Sequence, residues 1–280
     1  MLRPNSTPVP KAAVMGWPVA HSLSPRLHGF WLQKHGIPGT YEAIGIEPQN
    51  LEAALRTLPG QGFRGVNLTV PLKEIALNIV DDLDAAAQRI GAVNLVIVGA
   101  DGKLEGRNTD AYGFAQNLLA ANVLPGGKAL VLGAGGAARA VLAALTDMGF
   151  DDVVVTNRTP ERAQKLARDF SVPAIDWADA AAAMVDVSLL VNATSLGMKG
   201  QPPLEITLDA LPQSATVTDI VYVPLETGLL RAARQRGLKT VDGLGMLLHQ
   251  ARPAFAAFFG GDPEVTEELR HFILEGKKDT

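Results

Sequence analysis

Apolar and polar positions change rhythm along the chain. In the first part, strand and helix periods follow each other in no fixed order. Leu27, Phe30 and Trp31 recur at helical spacing after Ser24-Pro25, where Ser reads as the N-cap and Pro as the first helical residue, and Gly36 supplies a stop. Leu51, Ala54, Leu55 and Leu58 mark a second helical face that ends before Pro59-Gly60. Residues 65–70 alternate instead, with Val66, Leu68 and Val70 on one side and Asn67 and Thr69 on the other. Pro71 ends that strand and is expected to open a helix with Lys73 in its first turn. Residues 93–98 read as a strand, and Asp101-Gly102 is a hairpin signal leading to a return strand near Leu104. Antiparallel pairing there excludes a purely parallel sheet for this part.

After a predicted helix over 110–119 and a break at Pro125-Gly126-Gly127, the rhythm becomes regular. Strands are predicted near 128–132, 152–156, 173–175, 187–191, 216–220 and 239–241. Helical patterns lie between most of them, and the alanine-rich 178–183 reads as a plain helix former. That alternation is the signature of a doubly wound parallel sheet. From Gly243 onward the chain reads as helical.

Composition narrows the class. A chain of 280 residues, 47% hydrophobic and 19% charged, can bury a core in each of two domains and is too apolar for extended disorder. Its net charge of -4 argues against general nucleic-acid binding. The absence of cysteine excludes disulfides, thiolate nucleophiles and cysteine-ligated zinc. The five histidines show no H-x-x-x-H spacing, so a metal is not expected. Residues 1–9 lack the apolar core of a secretory signal, and no apolar run approaches the roughly 18–20 residues that span a bilayer. A soluble, cytoplasmic two-domain α/β protein is expected, with no membrane or nucleic-acid partner.

One motif is explicit about its chemistry. The apolar stretch 129–132 runs into Gly133-Ala134-Gly135-Gly136-Ala137-Ala138, which fits G-x-G-x-x-A. The first Gly permits the tight turn, the second lets backbone approach a pyrophosphate, and the small third residue allows close helix–strand packing. The following helix aims its free N–H groups at the phosphates. At the end of the next strand, an NAD site would carry Asp or Glu for the ribose hydroxyl. This chain has Asn157-Arg158-Thr159 instead, and Arg suits a 2′-phosphate. NADP is therefore predicted, although Thr159-Pro160 also reads as an N-cap pair beside a solvated Arg.

In the first part, His21-Ser22-Leu23-Ser24-Pro25 offers two hydroxyls, Asn67 and Thr69 share a strand face, and Asn94 is the one polar side chain in its strand. Lys73 and Asp110 are charges at element ends. Each has a bland reading alone, as a cap, a solvated face or a surface charge. Their concentration beside a dinucleotide domain points to a substrate site.

The ordered motifs Gly16-Trp17-Pro18, His21-Ser22-Leu23-Ser24-Pro25, Asn67-Leu68-Thr69-Val70-Pro71-Leu72-Lys73, Gly91-Ala92-Val93-Asn94, Asn108-Thr109-Asp110, the glycine turn, Asn192-Ala193-Thr194-Ser195 and Asp219-Ile220-Val221-Tyr222 resemble the bacterial shikimate dehydrogenases. The resemblance implies NADP-dependent reduction of 3-dehydroshikimate, on the way to aromatic amino acids. It implies Lys73 and Asp110 as the catalytic pair, and Ser22, Ser24 and Tyr222 around the substrate carboxylate. Asn67, Thr69, Asn94 and Gln250 would take ring hydroxyls. Gly133, Ala134, Gly135, Gly136, Ala137, Asn157, Arg158, Thr159, Asn192, Thr194, Ser195, Ile220 and Gly243 would hold the cofactor. The expected organisation is α/β: a mixed substrate domain over 1–111 and 242–280, with the last helices packed back on it, and a Rossmann domain over 112–241. A monomer or homodimer is expected.

Leu95 stands where the family commonly has Thr, and Ala111 where it often has Gly. Relatives that also take quinate or aminoshikimate share the scaffold. Glutamyl-tRNA reductases pair a similar glycine turn with a cysteine nucleophile, which this chain lacks. A non-catalytic NADP sensor would explain the glycine turn, but not Lys73, Asp110 and the serine pair together. Both expected ligands are anions, so a chain of charge -4 must gather them through local positive groups.

Overall fold

The structure, a computed structural model, describes residues 9–275. The reading of residues 1–9 as carrying no signal falls, but for Val9, outside the described residues. The chain divides into two compact units. One runs to Thr109 and resumes at Ala251, and the other comprises Asp110–Gln250. The second division falls inside a helix.

The first unit holds a mixed sheet of β1 (Lys11–Gly16), β2 (Thr40–Gly45), β3 (Phe63–Leu68), β4 (Asp82–Leu83), β5 (Leu95–Val98) and β6 (Leu104–Arg107), in the order β2-β1-β3-β5-β6-β4. Strand β1 runs parallel to β2 and β3, while β5 is antiparallel to both β3 and β6. Its helices are α1 (Ser24–His35), α2 (Leu51–Thr57) and α3 (Ala85–Ile90).

Leu51, Leu55 and Leu58 cover one sheet face with Met15, Val66, Leu68 and Val96. On the other face Ala12 and Leu95 meet Ala254 and Phe258. Both faces of β3 are thus covered, and the polar side of its alternation is buried rather than solvated: Asn67 is 6% exposed. The apolar side stops at Leu68, because Val70 lies in the turn beyond the strand and is 71% exposed.

Three local expectations shift. Ser24 is the first residue of α1, not its cap; Leu23 holds the cap position, without a side-chain cap bond. No α-helix starts at Pro71. The Lys73 carbonyl, which a helix would offer to Leu77 N, accepts from Val93 N at 2.8 Å instead, and Leu77 N turns to Glu74 O. Lys73 accordingly sits in a turn ahead of a 3-10 segment, Ile75–Asn78. The alanine-rich 178–183 also forms no α-helix, but 3-10 turns at Trp177–Asp179 and Ala182–Asp186. Burial of Ala180 and Met184 in the short return to the sheet overrides propensity there.

The second unit opens with α4 (Asp110–Ala120). It continues through β7 (Lys128–Leu132), α5 (Gly136–Met148), β8 (Asp152–Thr156), α6 (Pro160–Phe170), β9 (Ala174–Ile175), β10 (Val187–Asn192), β11 (Thr216–Asp219), α7 (Gly228–Gln235) and β12 (Lys239–Val241). The order is β12-β11-β10-β7-β8-β9, and every pair is parallel. Winding reverses between β7 and β10, where such sheets leave a ligand crevice at their carboxyl ends.

Helix α8 (Leu244–Phe259) starts in this unit and ends in the first, and α9 (Glu267–Glu275) belongs to the first. The chain between α8 and α9 is not helical. Phe272 on α9 lies against Phe30 with ring centroids 5.0 Å apart, and Trp31 Nε1 donates to Glu264 O at 3.2 Å. The last helix therefore packs back on the first unit. Among the described residues, no helix is long and apolar enough to cross a membrane.

Candidate active site

Strand directions in the first unit bring its polar motifs together. Parallel β1 and β3 end at the same edge of the sheet, antiparallel β5 begins there, and β6 returns to it. Ser22 and Ser24 follow β1, Thr69 and Lys73 follow β3, Asn94 precedes β5, and Thr109 follows β6.

Hydrogen bonds lock that edge. Asn67 Nδ2 donates to Asn94 O at 3.0 Å, and Leu68 N donates to the same carbonyl at 2.9 Å. Asn94 Oδ1 accepts from Thr109 N at 2.8 Å, while its Nδ2 donates to Thr109 Oγ1 at 3.0 Å. This bond fixes the residue directly ahead of Asp110. The Val93 N to Lys73 O bond holds the lysine backbone to the same strand entry. Ser24 N donates to Ser22 Oγ at 3.3 Å. Gly16 is required by close approach, since a Cβ there would fall 2.4 Å from Thr69 Cγ2. The result is a buried or half-buried patch of hydroxyls and amides with a half-buried cation, Lys73, at its rim. Such a patch can bind a small, highly hydroxylated anion and deliver a proton to it.

In the second unit, Leu132 and Asn192 are register partners at the winding reversal. Gly133 follows β7 with φ 115, a backbone region that favours glycine, and its N donates to Thr156 O at 2.7 Å. A Cβ on Gly133 would meet Thr194 Cγ2 at 2.9 Å and Ala193 backbone at 3.0 Å. Above Gly135, the N-cap of α5, space is open. A close backbone turn, open room and the N-terminus of a 13-residue helix fit a pyrophosphate. Arg158, after β8, is exposed and has no ion-pair partner among the described residues. Asn157 Nδ2 donates to Thr159 O at 3.0 Å, and Thr159 occupies the cap position of α6.

Beyond β10, Asn192 Oδ1 accepts from Thr194 Oγ1 at 2.7 Å, and its Nδ2 reaches Asp219 Oδ1 at 3.0 Å. Asp219 also accepts from Val221 N at 2.9 Å and from Thr227 Oγ1 at 2.7 Å. Burial pushes its carboxyl above the ordinary range, against the pull of those three bonds. Burial likewise raises the Tyr222 phenol, keeping it a neutral donor. A Cβ on Gly243 would lie 2.3 Å from Ile220 O, so glycine is needed for that contact. Gln250 and Met246 similarly crowd Gly113, where α4 crosses α8.

Two family models match the chain. The model described as shikimate dehydrogenase substrate binding domain covers residues 14–96, and the one described as shikimate / quinate 5-dehydrogenase covers 115–198. The NADP(+)-dependent shikimate dehydrogenase of Paramagnetospirillum magneticum is 54% identical over 268 residues, spanning 94% of this chain and 97% of that protein. The chain belongs to the shikimate dehydrogenase family. Among solved members of similar fold, the Thermus thermophilus shikimate 5-dehydrogenase in complex with NADP(H) and shikimate is 42% identical with a TM-score of 0.86, covering 96% of this chain and 99% of that one. The Corynebacterium glutamicum quinate dehydrogenase in complex with NAD is 31% identical with a TM-score of 0.89, covering 95% of this chain and 99% of that one.

Within the family frame, the first unit gathers Ser22, Ser24, Asn67, Thr69, Lys73 and Asn94 at one sheet edge, and the second gathers Gly133–Ala137 with Thr194 at the winding reversal. Ile220 and Gly243 also meet. Asn192 differs from its expected place lining a cleft: it is fully buried and its amide organises the 192–196 turn. Leu95 faces the core rather than the polar edge.

Two groups escaped the linear pattern. Asp219 was visible only as part of a motif. Tyr41 had no motif at all, yet its hydroxyl donates to Asn67 Oδ1 at 2.8 Å. The signal for Tyr41 was Ala12, its register partner on β1, whose small side chain lets the phenol reach across to β3.

Proposed function

We propose that this protein is an NADP-dependent shikimate dehydrogenase that interconverts 3-dehydroshikimate and shikimate in aromatic amino-acid biosynthesis, in the cytoplasm, as a monomer or homodimer. The observation that carries the reading is the convergence of the serine pair, Asn67, Thr69, Asn94 and Lys73 at one edge of the first sheet, in a chain of this family. The cofactor, when bound, supplies or accepts the hydride at the carbinol carbon. Gly133, Ala134, Gly135, Gly136 and Ala137 would hold its pyrophosphate, and Asn157, Arg158 and Thr159 its adenosine phosphate. Thr194, Ser195, Ile220 and Gly243 would border it, with Asn192 shaping the turn beneath.

The chain's own groups then have distinct tasks. Ser22 and Ser24 donate to the carboxylate. Asn67, Thr69 and Asn94 hold ring hydroxyls, which a flexible site would let rotate out of line. Reduction of the ketone leaves negative charge on oxygen, and the Lys73 ammonium provides both the neutralising field and the proton. In the oxidative direction neutral Lys73 Nζ takes the hydroxyl proton. The Asp110 carboxylate stabilises the charged lysine. The roles of Asp110, Tyr222 and Gln250 rest on the family resemblance. The 1–111 and 242–280 segments would form the substrate domain and 112–241 the cofactor domain.

A broader substrate range is the second reading, favoured by the likeness to a quinate dehydrogenase and by the family description that names both acids. Steady-state kinetics with shikimate and quinate, each with NADP and NAD, tests both. Shikimate with NADP should give the highest kcat/KM. A dominant quinate rate would favour the second reading, and tight NADP binding without turnover of either acid would favour a non-catalytic sensor.

A further inference from the structure

Buried beside the polar edge of the first unit lies a pair of rings that the reaction as described does not use. His28 on α1 and Tyr41 on β2 stack face to face, with centroids 4.0 Å apart and planes 3° from parallel. His28 is 1% exposed, its Nδ1 has no hydrogen-bond partner among the described residues, and burial pulls its pKa down to about 3, so the ring is a neutral platform. Trp31 and Phe255 close the platform on its other sides. The Tyr41 phenol, raised by burial, stays protonated and can donate.

Its single proton goes to Asn67 Oδ1 at 2.8 Å, and the Ser24 hydroxyl also lies against the phenol. Across the amide, Asn67 Nδ2 donates to Asn94 O at 3.0 Å. The two ends of an Asn side chain have nearly the same shape, so only partners decide which end faces where. Here a donor grips the oxygen and an acceptor grips the nitrogen. The second Nδ2 proton is left over, so the clamped amide has a donor to offer a ligand.

We propose that Tyr41 is a positioning residue that clamps the Asn67 amide in its donor orientation, with His28 holding the phenol in place by stacking. The inference rests on the reading that Asn67 binds a substrate hydroxyl. Without the phenol proton, the buried Asn67 oxygen lacks its donor and the bond to Asn94 O alone orients the amide, so the donor is offered to a ligand less sharply.

The test is a kinetic double-mutant cycle in the full chain. Tyr41→Phe keeps the ring and the stack and removes only the hydroxyl. It should raise the shikimate KM about tenfold, the worth of one hydrogen bond, leave the NADP KM near wild type, and lower the melting temperature only by the few degrees that one unsatisfied buried acceptor costs. In an Asn67→Ala background the same substitution should cost far less, because the clamp is already gone and only the Ser24 contact remains for the phenol to act through. His28→Phe, which preserves stacking, should retain a near-normal shikimate KM, whereas His28→Ala should reproduce the Tyr41→Phe effect. Equal additive losses in both backgrounds, or a Tyr41→Phe protein with unchanged shikimate KM, would overturn the proposal. If wild type turns over shikimate and Asn67→Ala leaves its KM untouched, the assignment of Asn67 itself fails and this proposal falls with it.

Discussion

Replacing Asp219 by Ala would remove one acceptor group from three donors at once. Val221 N would lose its partner, Thr227 Oγ1 would keep only the bond it accepts from Leu230 N, and Asn192 Nδ2 would keep only Leu196 O. At about 1–3 kcal/mol for each buried donor left unsatisfied, the gross loss is roughly 3–9 kcal/mol. Two effects reduce it: the Thr227 hydroxyl can rotate, and a carboxylate whose charged form burial disfavours is gone. A net destabilisation of about 2–4 kcal/mol is expected, or roughly 4–16 °C in melting temperature by scanning calorimetry. The 192–196 turn and the segment after β11 would loosen together, so the NADP KM should rise while the shikimate KM changes less.

The pH dependence of the same site has a definite sign. Because the folded carboxyl titrates above its ordinary 3.8, the protonated form is the one the fold favours. Its contribution is complete below the unfolded value and declines as pH rises through the elevated folded value. Wild type should therefore lose stability relative to Asp219→Asn, which cannot ionise, as pH increases across that window. An Asp219→Ala protein within about 0.5 kcal/mol of wild type, with an unaltered NADP KM, would show that Asp219 does not brace the turn, since that is the spread of inert surface changes.

Arg158→Gln should raise the NADP KM about 10- to 100-fold, the worth of a charge-assisted phosphate contact, while the KM for NAD stays within about twofold; parallel cofactor titrations measure this. Gly243→Ala would place a methyl against the Ile220 carbonyl, which is backbone and cannot swing aside, so urea unfolding should show a loss of about 1–3 kcal/mol.

Legibility in the sequence tracked the range of the forces involved. Strands 128–132, 152–156 and 239–241 match the structure residue for residue, because apolar runs bounded by turns fix them locally. The glycine turn was readable for the same reason: Gly133 follows a strand and Gly136 starts a helix within four residues. What failed depended on partners far along the chain. Lys73 was misplaced onto a helix because its carbonyl answers to Val93, a strand entry away. The 178–183 segment followed the burial of Ala180 and Met184, not its alanine content. In the first unit the site residues could be named from motifs, but their connection could not. The bonds from Tyr41 to Asn67 and from Asn94 to Thr109 exist only once β1, β3, β5 and β6 share an edge. The buried setting of Asn192 and Asp219 was hidden likewise, since a polar residue after an apolar strand reads equally as a ligand contact or as a brace.

In the proposed reaction, the polar edge of the first sheet presents Lys73 to a hydroxyl undergoing oxidation. The most direct test is the steady-state rate of shikimate-dependent NADPH formation by Lys73→Ala beside wild type. Wild type should show saturable turnover and the variant a kcat at least about 100-fold lower, within the roughly 10²–10⁴ span of a positioned acid–base group. The shikimate KM should change by only a few fold, as for an interaction used mainly in the transition state. A variant that retains near-normal kcat would exclude Lys73 from the proton transfer.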